Sequence, residues 1–205
     1  MASVYQLKTR FQSLLRPLVR RLAAAGVTAN QVTLAALLLS FIAGVAMALW
    51  PSQGWPWLML PAVMFVRMGL NAIDGMLARE HDMKSPLGAI LNELGDVLSD
   101  IVLYLPFALI NPAAAWLVAV LVPLAVISEM TGVIGVQIGA SRRYDGPMGK
   151  SDRAFVFGTA AFFYGLSVVP AAWMVWIFAA VILLLVVTIL RRAKSALTEL
   201  SSHGG

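Results

Sequence analysis

Six long apolar runs constrain this chain more than any other feature. They cover residues 32–49, 55–78, 86–110, 113–138, 154–169 and 171–190. Most of them approach the ~20 residues that a helix needs to cross a ~30 Å hydrocarbon core. Backbone groups in a bilayer must be satisfied within helices or closed barrels, and continuous rather than alternating runs favour helices. The sequence therefore predicts an all-α, polytopic membrane protein with six transmembrane helices.

Charged residues alternate between the connections of these runs. Basic side chains precede the first run, follow the last run and occupy the second and fourth connections. The other three connections, WPSQGWP, NPAA and VPAA, contain no charged residue. Under the positive-inside rule, this alternation predicts that both termini and every basic connection face the cytosol.

The segment before the first run has an amphipathic pattern. Its apolar residues recur at helical spacing with basic residues between them, and they are Val4, Leu7, Phe11, Leu14, Leu15, Leu18 and Leu22. Such a helix, with a bend expected at Pro17, suits a surface of anionic lipid. The net charge of +5 therefore fits membrane lipids, and no aromatic or motif beside the basic residues indicates nucleic acid. The chain has no cysteine, which excludes thiolate chemistry and disulfides.

One polar stretch, NAIDGMLAREHDMKSPLGAILNELGDVLSD at residues 71–100, interrupts this apolar background. The second predicted span has a polar face formed by Arg67, Asn71, Asp74 and Ala78. The third has a face formed by Gly88, Asn92, Asp96 and Ser99, with Glu93 and Asp100 at one margin. Because the two spans are antiparallel neighbours joined by a short cytosolic loop, we expect the two faces to meet near the cytosolic side.

These polar groups need compensation, because a charged side chain at the centre of a membrane helix costs roughly 2.5–3.5 kcal/mol. Clustered carboxylate and amide oxygens favour Mg²⁺ or Mn²⁺. A divalent ion and Arg79 together suit a diphosphate, and a nearby carboxylate can take a proton from an attacking hydroxyl. Glu93 and Asp100 are equally well explained as partners of basic groups, and Glu129 in the fourth span as a structural, hydrogen-bonded residue.

The spacing of these residues resembles the signature of the CDP-alcohol phosphatidyltransferase (CDP-alcohol phosphotransferase) family, and within it an enterobacterial subgroup. That signature is Asp, two residues, Asp-Gly, two residues, Ala-Arg, eight or nine residues, Gly, three residues, Asp, three residues, Asp. The residues in register are Asp74, Gly75, Ala78, Arg79, Gly88 and Asp96. Asn71 and Asn92 stand where the family has its first and third aspartates. The segments VTANQVTLAALLLS and GPMGKSDRA also resemble the family's entry into its first span and its basic loop before the fifth.

The resemblance implies an enzyme of phospholipid biosynthesis. In this family an alcohol hydroxyl attacks the β-phosphorus of a CDP-linked donor, usually CDP-diacylglycerol, and CMP leaves. It implies one or two Mg²⁺ or Mn²⁺ ions held by Asp74 and Asp96, with amide oxygens from Asn71 and Asn92. Asp96 is then the expected general base. The CDP-binding residues implied are Gly75, Ala78, Arg79 and Gly88. A homodimer in the bacterial inner membrane, with a cytosol-facing active site, is also implied.

The acceptor is expected to be a small phosphorylated alcohol. Glycerol 3-phosphate is the leading candidate, with inositol phosphate and serine as alternatives, and we predict that Lys150, Arg153 and Arg142 bind it. The predicted division is a juxtamembrane helix at 1–30, a six-helix transmembrane catalytic domain at 31–192 and a cytoplasmic tail at 193–205. Two other functions stay open: a catalytically degenerate protein that binds CDP-lipid, because of the two asparagines, and an ion or proton transporter, because intramembrane acids also mark ion pathways.

Overall fold

The computed structural model describes the backbone of residues 4–203 and the side chains of residues 10–202. The predicted apolar positions Val4 and Leu7 therefore lie outside the described side chains. Seven α-helices account for most of the described chain: α1 Val4–Ala24, α2 Ala29–Leu49, α3 Gly54–Glu80, α4 Pro86–Tyr104, α5 Ala115–Gln137, α6 Lys150–Gly165 and α7 Met174–His203. Short 3₁₀ segments cover Leu105–Leu109, Pro112–Ala114 and Ala171–Trp173. The residues described here include no strand, so the predicted all-α class is confirmed.

Each predicted apolar run is covered for the most part by one of the helices α2 to α7, although the runs 86–110 and 154–169 extend beyond the ends of α4 and α6. Among the described residues, four segments are long and apolar enough to cross a membrane, namely Ala29–Leu49, Gly54–Glu80, Pro112–Gln137 and Ala171–Ser202. Of the other two helices, α4 carries three acidic residues among its 19, and α6 is only 16 residues long. The structure therefore agrees with a polytopic membrane protein, whereas six crossings and cytosolic termini stay predictions.

The described chain forms two compact units. The first unit contains residues up to 42 together with 62–99, and the second contains 43–61 together with residues from 100 onwards. In the first unit, α1, the start of α2 and the second half of α3 share an apolar core. Its buried members are Val19, Ala29, Val32, Ile73, Met76 and Leu77. This core borders Asp74, which lies between two of its members along α3.

The join between α1 and α2 is defined by backbone conformation and by a reciprocal cap. Gly26 has φ +76°, a left-handed conformation that glycine adopts without steric cost, and it ends α1. Thr28 precedes the first residue of α2 and caps the helix. Its hydroxyl accepts from the Gln31 backbone nitrogen at 3.3 Å, and the Gln31 side-chain oxygen accepts from the Thr28 backbone nitrogen at 2.9 Å. The segment VTANQVT therefore starts the first apolar helix by a capping box.

The amphipathic character predicted for α1 is present in the structure. Leu15, Val19 and Leu22 pack on the core of the first unit, whereas Leu14 is 77% exposed. Two hydrogen bonds at 2.9 and 3.1 Å join the Arg16 guanidinium to the Glu80 carboxylate at the end of α3. One side of α1 is thus anchored to its own unit, and an apolar side chain remains on the other.

Aromatic rings fill the centre of the second unit. Trp57, Tyr104, Phe107, Phe157 and Phe178 are all fully buried. Tyr104 stacks on Phe157 with ring centroids 4.1 Å apart, and Phe107 meets Trp57 edge to face at 5.1 Å. Such pairs stabilise beyond the area that they bury, by about 0.5–1.5 kcal/mol each. They fix the helices that carry the polar residues of this unit.

The helix α7 continues past the apolar run that ends at residue 190, and it reaches His203. Its later part is packed within the second unit, since Arg192 and Ala196 are buried. A loop at 138–149 lies against α7 through Gly146, whose φ is +110°. A Cβ on Gly146 would lie 2.6–2.8 Å from Thr188 atoms, so only glycine fits there. Much of the predicted tail is therefore helical.

Candidate active site

The predicted metal ligand Asp74 is buried in the first unit. Its side chain is 5% exposed, and its Oδ2 accepts a hydrogen bond from the Thr33 hydroxyl at 2.8 Å. Thr33 lies on α2, one turn after the capping box. The sequence pattern indicated only α3 and α4 for this region, whereas the Asp74 carboxylate is oriented by a residue of a third helix, α2.

Asp96, the other predicted carboxylate, receives two donors from α3. The Asn71 amide nitrogen donates to Asp96 Oδ1 at 3.1 Å. The Arg67 guanidinium donates to the Asp96 backbone carbonyl at 3.0 Å and lies 3.6 Å from the same Oδ1. Arg67 is 3% exposed, and Asp96 is partly exposed. The predicted polar faces of α3 and α4 therefore meet within the first unit.

The glycines of the motif lie against polar side chains. A Cβ on Gly75 would be 3.0 Å from the Arg79 guanidinium, so that side chain folds back over Gly75, one turn earlier on α3. A Cβ on Gly88 would be 2.8 Å from the amide oxygen of Asn30 on α2. Arg79 itself is exposed, at the end of α3. Each of the two glycines therefore lies beside a polar side chain: Gly75 beside the exposed Arg79, and Gly88 beside Asn30 of α2.

The remaining predicted residues of this region lie nearby in the chain but differ in burial. Ala78 packs at the margin of the apolar core of the first unit. Asn92 and Glu93 are half-buried on α4. Ser85 begins α4: its hydroxyl accepts from the Gly88 nitrogen at 3.0 Å, and Pro86 takes the first helical position, where no amide proton is needed.

The predicted metal ligands carry oxygen atoms of the kind that a hard cation binds. Asp74 and Asp96 supply carboxylate oxygens, and Asn71 and Asn92 carry amide oxygens, which are the ligand types that Mg²⁺ and Mn²⁺ prefer. Among the described side chains, those of residues 10–202, no three His, Asp or Glu residues converge in a group that could hold a metal ion. Two carboxylates are thus the anionic part of the set, and each amide lacks the formal charge of an aspartate.

The second unit contains a separate cluster of charged side chains centred on Arg153. This residue, predicted to bind the acceptor, has no exposed side-chain surface. Its guanidinium donates to Asp100 Oδ2 at 2.7 and 3.1 Å and to Glu129 Oε1 at 3.0 Å. Further bonds reach the Ser128 hydroxyl at 3.2 Å and the Met148 carbonyl at 3.1 Å. Asp100 is therefore a partner of a basic group.

Glu129 collects further arginines in the same cluster. Its carboxylate lies 3.6 Å from the Arg142 guanidinium and 3.4 Å from that of Arg192, in addition to its bond with Arg153. Arg192 also donates to the Ser128 and Asp145 carbonyls. The interpretation of Glu129 as a structural residue that bonds across helices is thereby confirmed.

The basic loop before α6 is bound to α7 by an ion pair, between Arg143 and Glu199, and by hydrogen bonds. Arg143 donates to both Asp145 oxygens at 2.8 and 3.0 Å, and its Nη1 donates to Glu199. The Arg143 guanidinium holds the pKa of Asp145 below its ordinary value, so this pair is ionised at neutral pH. Arg142 lies over the Tyr144 ring at 5.0 Å and keeps 22% of its side chain exposed. Lys150 is half-buried at the first position of α6.

Comparison with known proteins identifies the family. The family model described as CDP-alcohol phosphatidyltransferase matches residues 26–190. The chain belongs to the CDP-alcohol phosphatidyltransferase family. It is 45% identical over 199 residues to the inner membrane protein YnbA of Escherichia coli (strain K12), covering 95% of this chain and 96% of that protein.

Solved structures of one further protein share the fold of this family member. They are crystal structures of Mycobacterium tuberculosis phosphatidylinositol phosphate synthase (PgsA1). The one with CDP-DAG bound is 19% identical, with a TM-score of 0.73, and the match covers 88% of this chain and 92% of that one. The one in complex with manganese and citrate has the same identity and TM-score, covering 89% and 88%.

Sequence reasoning missed several polar residues around the two sites of this family member. Asn30 and Thr33 were not singled out, although both lie in the VTANQVT segment that carries the family resemblance. The positive-inside rule explains Arg192 among the basic residues that follow the last apolar run without a specific contact, and the sequence pattern does not indicate Glu199. Their partners lie 47–64 residues away in the chain, and no local spacing indicates such pairs.

Proposed function

We propose that this chain transfers a phosphatidyl group from CDP-diacylglycerol to a small phosphorylated alcohol, such as glycerol 3-phosphate, and releases CMP. The observation that carries the proposal is the family's residue spacing, kept on neighbouring helices of one unit by Asp74, Gly75, Ala78, Arg79, Gly88 and Asp96. The choice of donor is supported by the CDP-DAG bound to the structurally similar phosphatidylinositol phosphate synthase.

In the proposed reaction, the acceptor hydroxyl attacks the β-phosphorus of the donor. A bond forms from that phosphorus to the acceptor oxygen, the bond to the bridging oxygen breaks, and CMP leaves with the bridging oxygen. The hydroxyl proton passes to Asp96, the proposed general base. Arg79 is proposed to bind the diphosphate, because its guanidinium is exposed above Gly75. Ala78 and Gly88 are proposed to line the CDP site with them.

The proposed cofactor is Mg²⁺ or Mn²⁺, held by Asp74 and Asp96 with amide oxygens from Asn71 and Asn92. A bound ion supplies neutralisation of the diphosphate charge during transfer. The manganese in one structure of the similar synthase supports this choice of metal. The chain's own contribution is to orient the two carboxylates, through Thr33 for Asp74 and through Asn71 for Asp96.

Lys150 and Arg142 are proposed to bind the acceptor, and Arg153 is proposed to act on that site indirectly. Cationic side chains suit the phosphate of a phosphorylated alcohol. Arg142 can contact the acceptor directly, because part of its side chain is exposed, whereas the Arg153 guanidinium is already bonded to Asp100 and Glu129. We expect Arg153 to affect the acceptor site by holding its neighbours in place.

The proposed setting is the bacterial inner membrane, with six spans, cytosolic termini and an active site that faces the cytosol. The similarity to an inner membrane protein and the four membrane-length segments support it. The alternation of basic and uncharged connections supports the orientation. A homodimer and the division at residues 30 and 192 are further parts of this proposal.

A second candidate is a protein that binds CDP-lipid without turnover. Asn71 and Asn92 favour it, because each removes a carboxylate from the family's signature. The same pocket would then hold CDP-diacylglycerol with little dependence on Mg²⁺ or Mn²⁺, and no CMP would appear.

The test is CMP release by the purified full chain in nanodiscs. CDP-diacylglycerol, Mg²⁺ or Mn²⁺ and a panel of glycerol 3-phosphate, inositol phosphate and serine would be supplied to wild type, Asp96→Asn and Asp82→Asn. Asp82 is a matched control, because it is an exposed loop aspartate with φ 55°, a conformation that Asn tolerates. We expect acceptor-dependent CMP from wild type and Asp82→Asn, and a loss of about 10²–10⁴-fold in Asp96→Asn.

The two candidate functions predict different results. Background CMP with every acceptor, together with binding of CDP-diacylglycerol, would reject the transferase and support the lipid-binding protein. CMP release that is equal in wild type and Asp96→Asn would show that Asp96 is not the base.

A further inference from the structure

The Asp96 carboxylate of this chain has a built-in positive partner. Arg67 lies one turn before Asn71 on α3, and both contact the same residue of α4. The Asp96 Oδ1 atom accepts from Asn71 at 3.1 Å and lies 3.6 Å from the Arg67 guanidinium. A second contact, from Arg67 to the Asp96 carbonyl at 3.0 Å, fixes the guanidinium on the backbone of α4. The positive charge is therefore held beside the carboxylate by two separate contacts.

Burial makes this charge effective. Arg67 is 3% exposed, and Asp74 on the same helix is 5% exposed, so solvent screens the charges of this region weakly. An arginine keeps its proton under all ordinary conditions, so the site contains a permanent cation. The positive charge of Arg67 therefore repels a divalent cation that binds near Asp96.

The charges of the set limit how many ions fit. The two aspartates contribute two negative charges, the two asparagines contribute none, and Arg67 contributes one positive charge. Counted without substrate, one divalent ion leaves this set with a single positive charge. Two divalent ions would leave three positive charges in a partly buried region, so the second ion is bound against a net positive charge.

We propose that Arg67 and Asn71 take the place of one divalent ion at Asp96, so that this site holds a single Mg²⁺ or Mn²⁺ ion. Arg67 is thus a positioning residue whose fixed charge sets the metal stoichiometry. The inference rests on the proposed function only in that the site holds a metal ion, and the number of bound ions needs no turnover to be measured.

The test is a count of bound Mn²⁺ on the full chain in detergent, from the electron paramagnetic resonance signal of the free ion. Wild type is expected to bind one ion per chain. The double variant Asn71→Asp with Asn92→Asp is expected to bind a second, weaker ion. Adding Arg67→Met is expected to tighten that second ion at least about tenfold, because a neighbouring positive charge is removed.

Two matched variants separate the charge of Arg67 from its packing. Arg67→Lys, added to the double variant, keeps the charge, and the second ion is expected to stay weak. Arg16→Met, also added to the double variant, removes a cation of the same unit that pairs with Glu80 instead, and the second ion is again expected to stay weak. If Arg67→Met fails to give a single species on size exclusion, Arg67→Gln replaces it with the same expectation.

Several outcomes would overturn the proposal: two ions or none on wild type, no second ion after both Asn→Asp changes, or equal second-ion affinity in the Met and Lys variants. One bound ion without any CMP release would leave this inference standing and reject the transferase. CMP release with two bound ions would do the reverse. The two proposals therefore fail separately.

Discussion

The two units of this protein treat charge in different ways. In the second unit, Arg153 is fully buried and bonded to two carboxylates, and Glu129 lies beside three arginines. In the first unit, Asp74 accepts from a threonine and Asp96 from an asparagine. The second cluster is built from close ion pairs, with Arg153 2.7 Å from Asp100 and 3.0 Å from Glu129, whereas Asp96 has an amide donor at 3.1 Å and an arginine at 3.6 Å. Close ion pairs suit a structural role, and the looser contact leaves 23% of the Asp96 side chain exposed, where a ligand can reach it.

The two units show two ways in which a membrane protein can stabilise buried charged side chains. A saturated ion-pair cluster is expensive to disturb, because removal of one partner leaves the others uncompensated. The Asp96 carboxylate is held less closely and is partly exposed, so it can still reach a ligand. The family's signature residues fall in the first unit, and Arg153 and Glu129 fall in the second.

The largest effect is expected from Arg153→Met in the second unit. The change leaves Asp100 and Glu129 buried without their shared partner, and loss of one member of such a cluster costs about 3–5 kcal/mol. The measurement is the free energy of unfolding in an SDS titration of detergent-solubilised protein. Arg191→Met is the control, because Arg191 is the exposed neighbour of Arg192. Equal unfolding midpoints for the two variants would show that the ion pairs of Arg153 do not stabilise the fold.

A smaller effect is expected from Thr33→Val in the first unit. The change keeps the shape of the side chain but removes the hydroxyl that donates to Asp74 at 2.8 Å. A hydrogen bond to a charged group contributes about 1.5–3 kcal/mol, so the unfolding midpoint should fall and CMP release should fall with it. Ser40→Ala is the control, because the buried Ser40 hydroxyl bonds only locally, to the Ala36 carbonyl. If Ser40→Ala lowered the unfolding midpoint and CMP release more than Thr33→Val does, the role given to the Thr33–Asp74 bond would be wrong.

The smallest effect is expected from Arg16→Gln on the surface of the first unit. The Arg16–Glu80 pair has good geometry, but its side chains are 42% and 36% exposed. Exposed pairs contribute little and are screened by salt. Unfolding midpoints at low and high ionic strength would measure this, and the small difference from wild type should vanish at high salt. A difference that persists would show that Arg16 acts through packing.

The sequence predicted the class of fold because continuous apolar runs leave few alternatives in a bilayer. It also predicted the meeting of the α3 and α4 polar faces, because helical spacing places Asn71 and Asp96 on polar faces and the short loop makes the two helices neighbours. The Asn71–Asp96 hydrogen bond bears out that meeting. The roles of these residues in binding and catalysis stay predictions.

Other features were beyond a pattern-based prediction. Helical periodicity gives no information about which distant helix a face will contact, so the bond from Thr33 to Asp74 was not foreseen. Orientation in the membrane explains the basic charges after residue 190, whereas in the structure Arg192 and Glu199 both make tertiary contacts within the second unit. Positive charges at a membrane surface and positive charges in an ion-pair cluster look alike in a sequence.

The join at Gly26 and Thr28 has a mechanical consequence. Only four residues separate α1 from α2, and their backbone is fixed by a left-handed glycine and a capping box. On the other side, Val19 of α1 packs with Ile73 and Leu77, which flank Asp74. α1 and the helix that carries Asp74 are therefore joined by a short connection and a shared core, so we expect a displacement of α1 to move the Asp74 carboxylate with it.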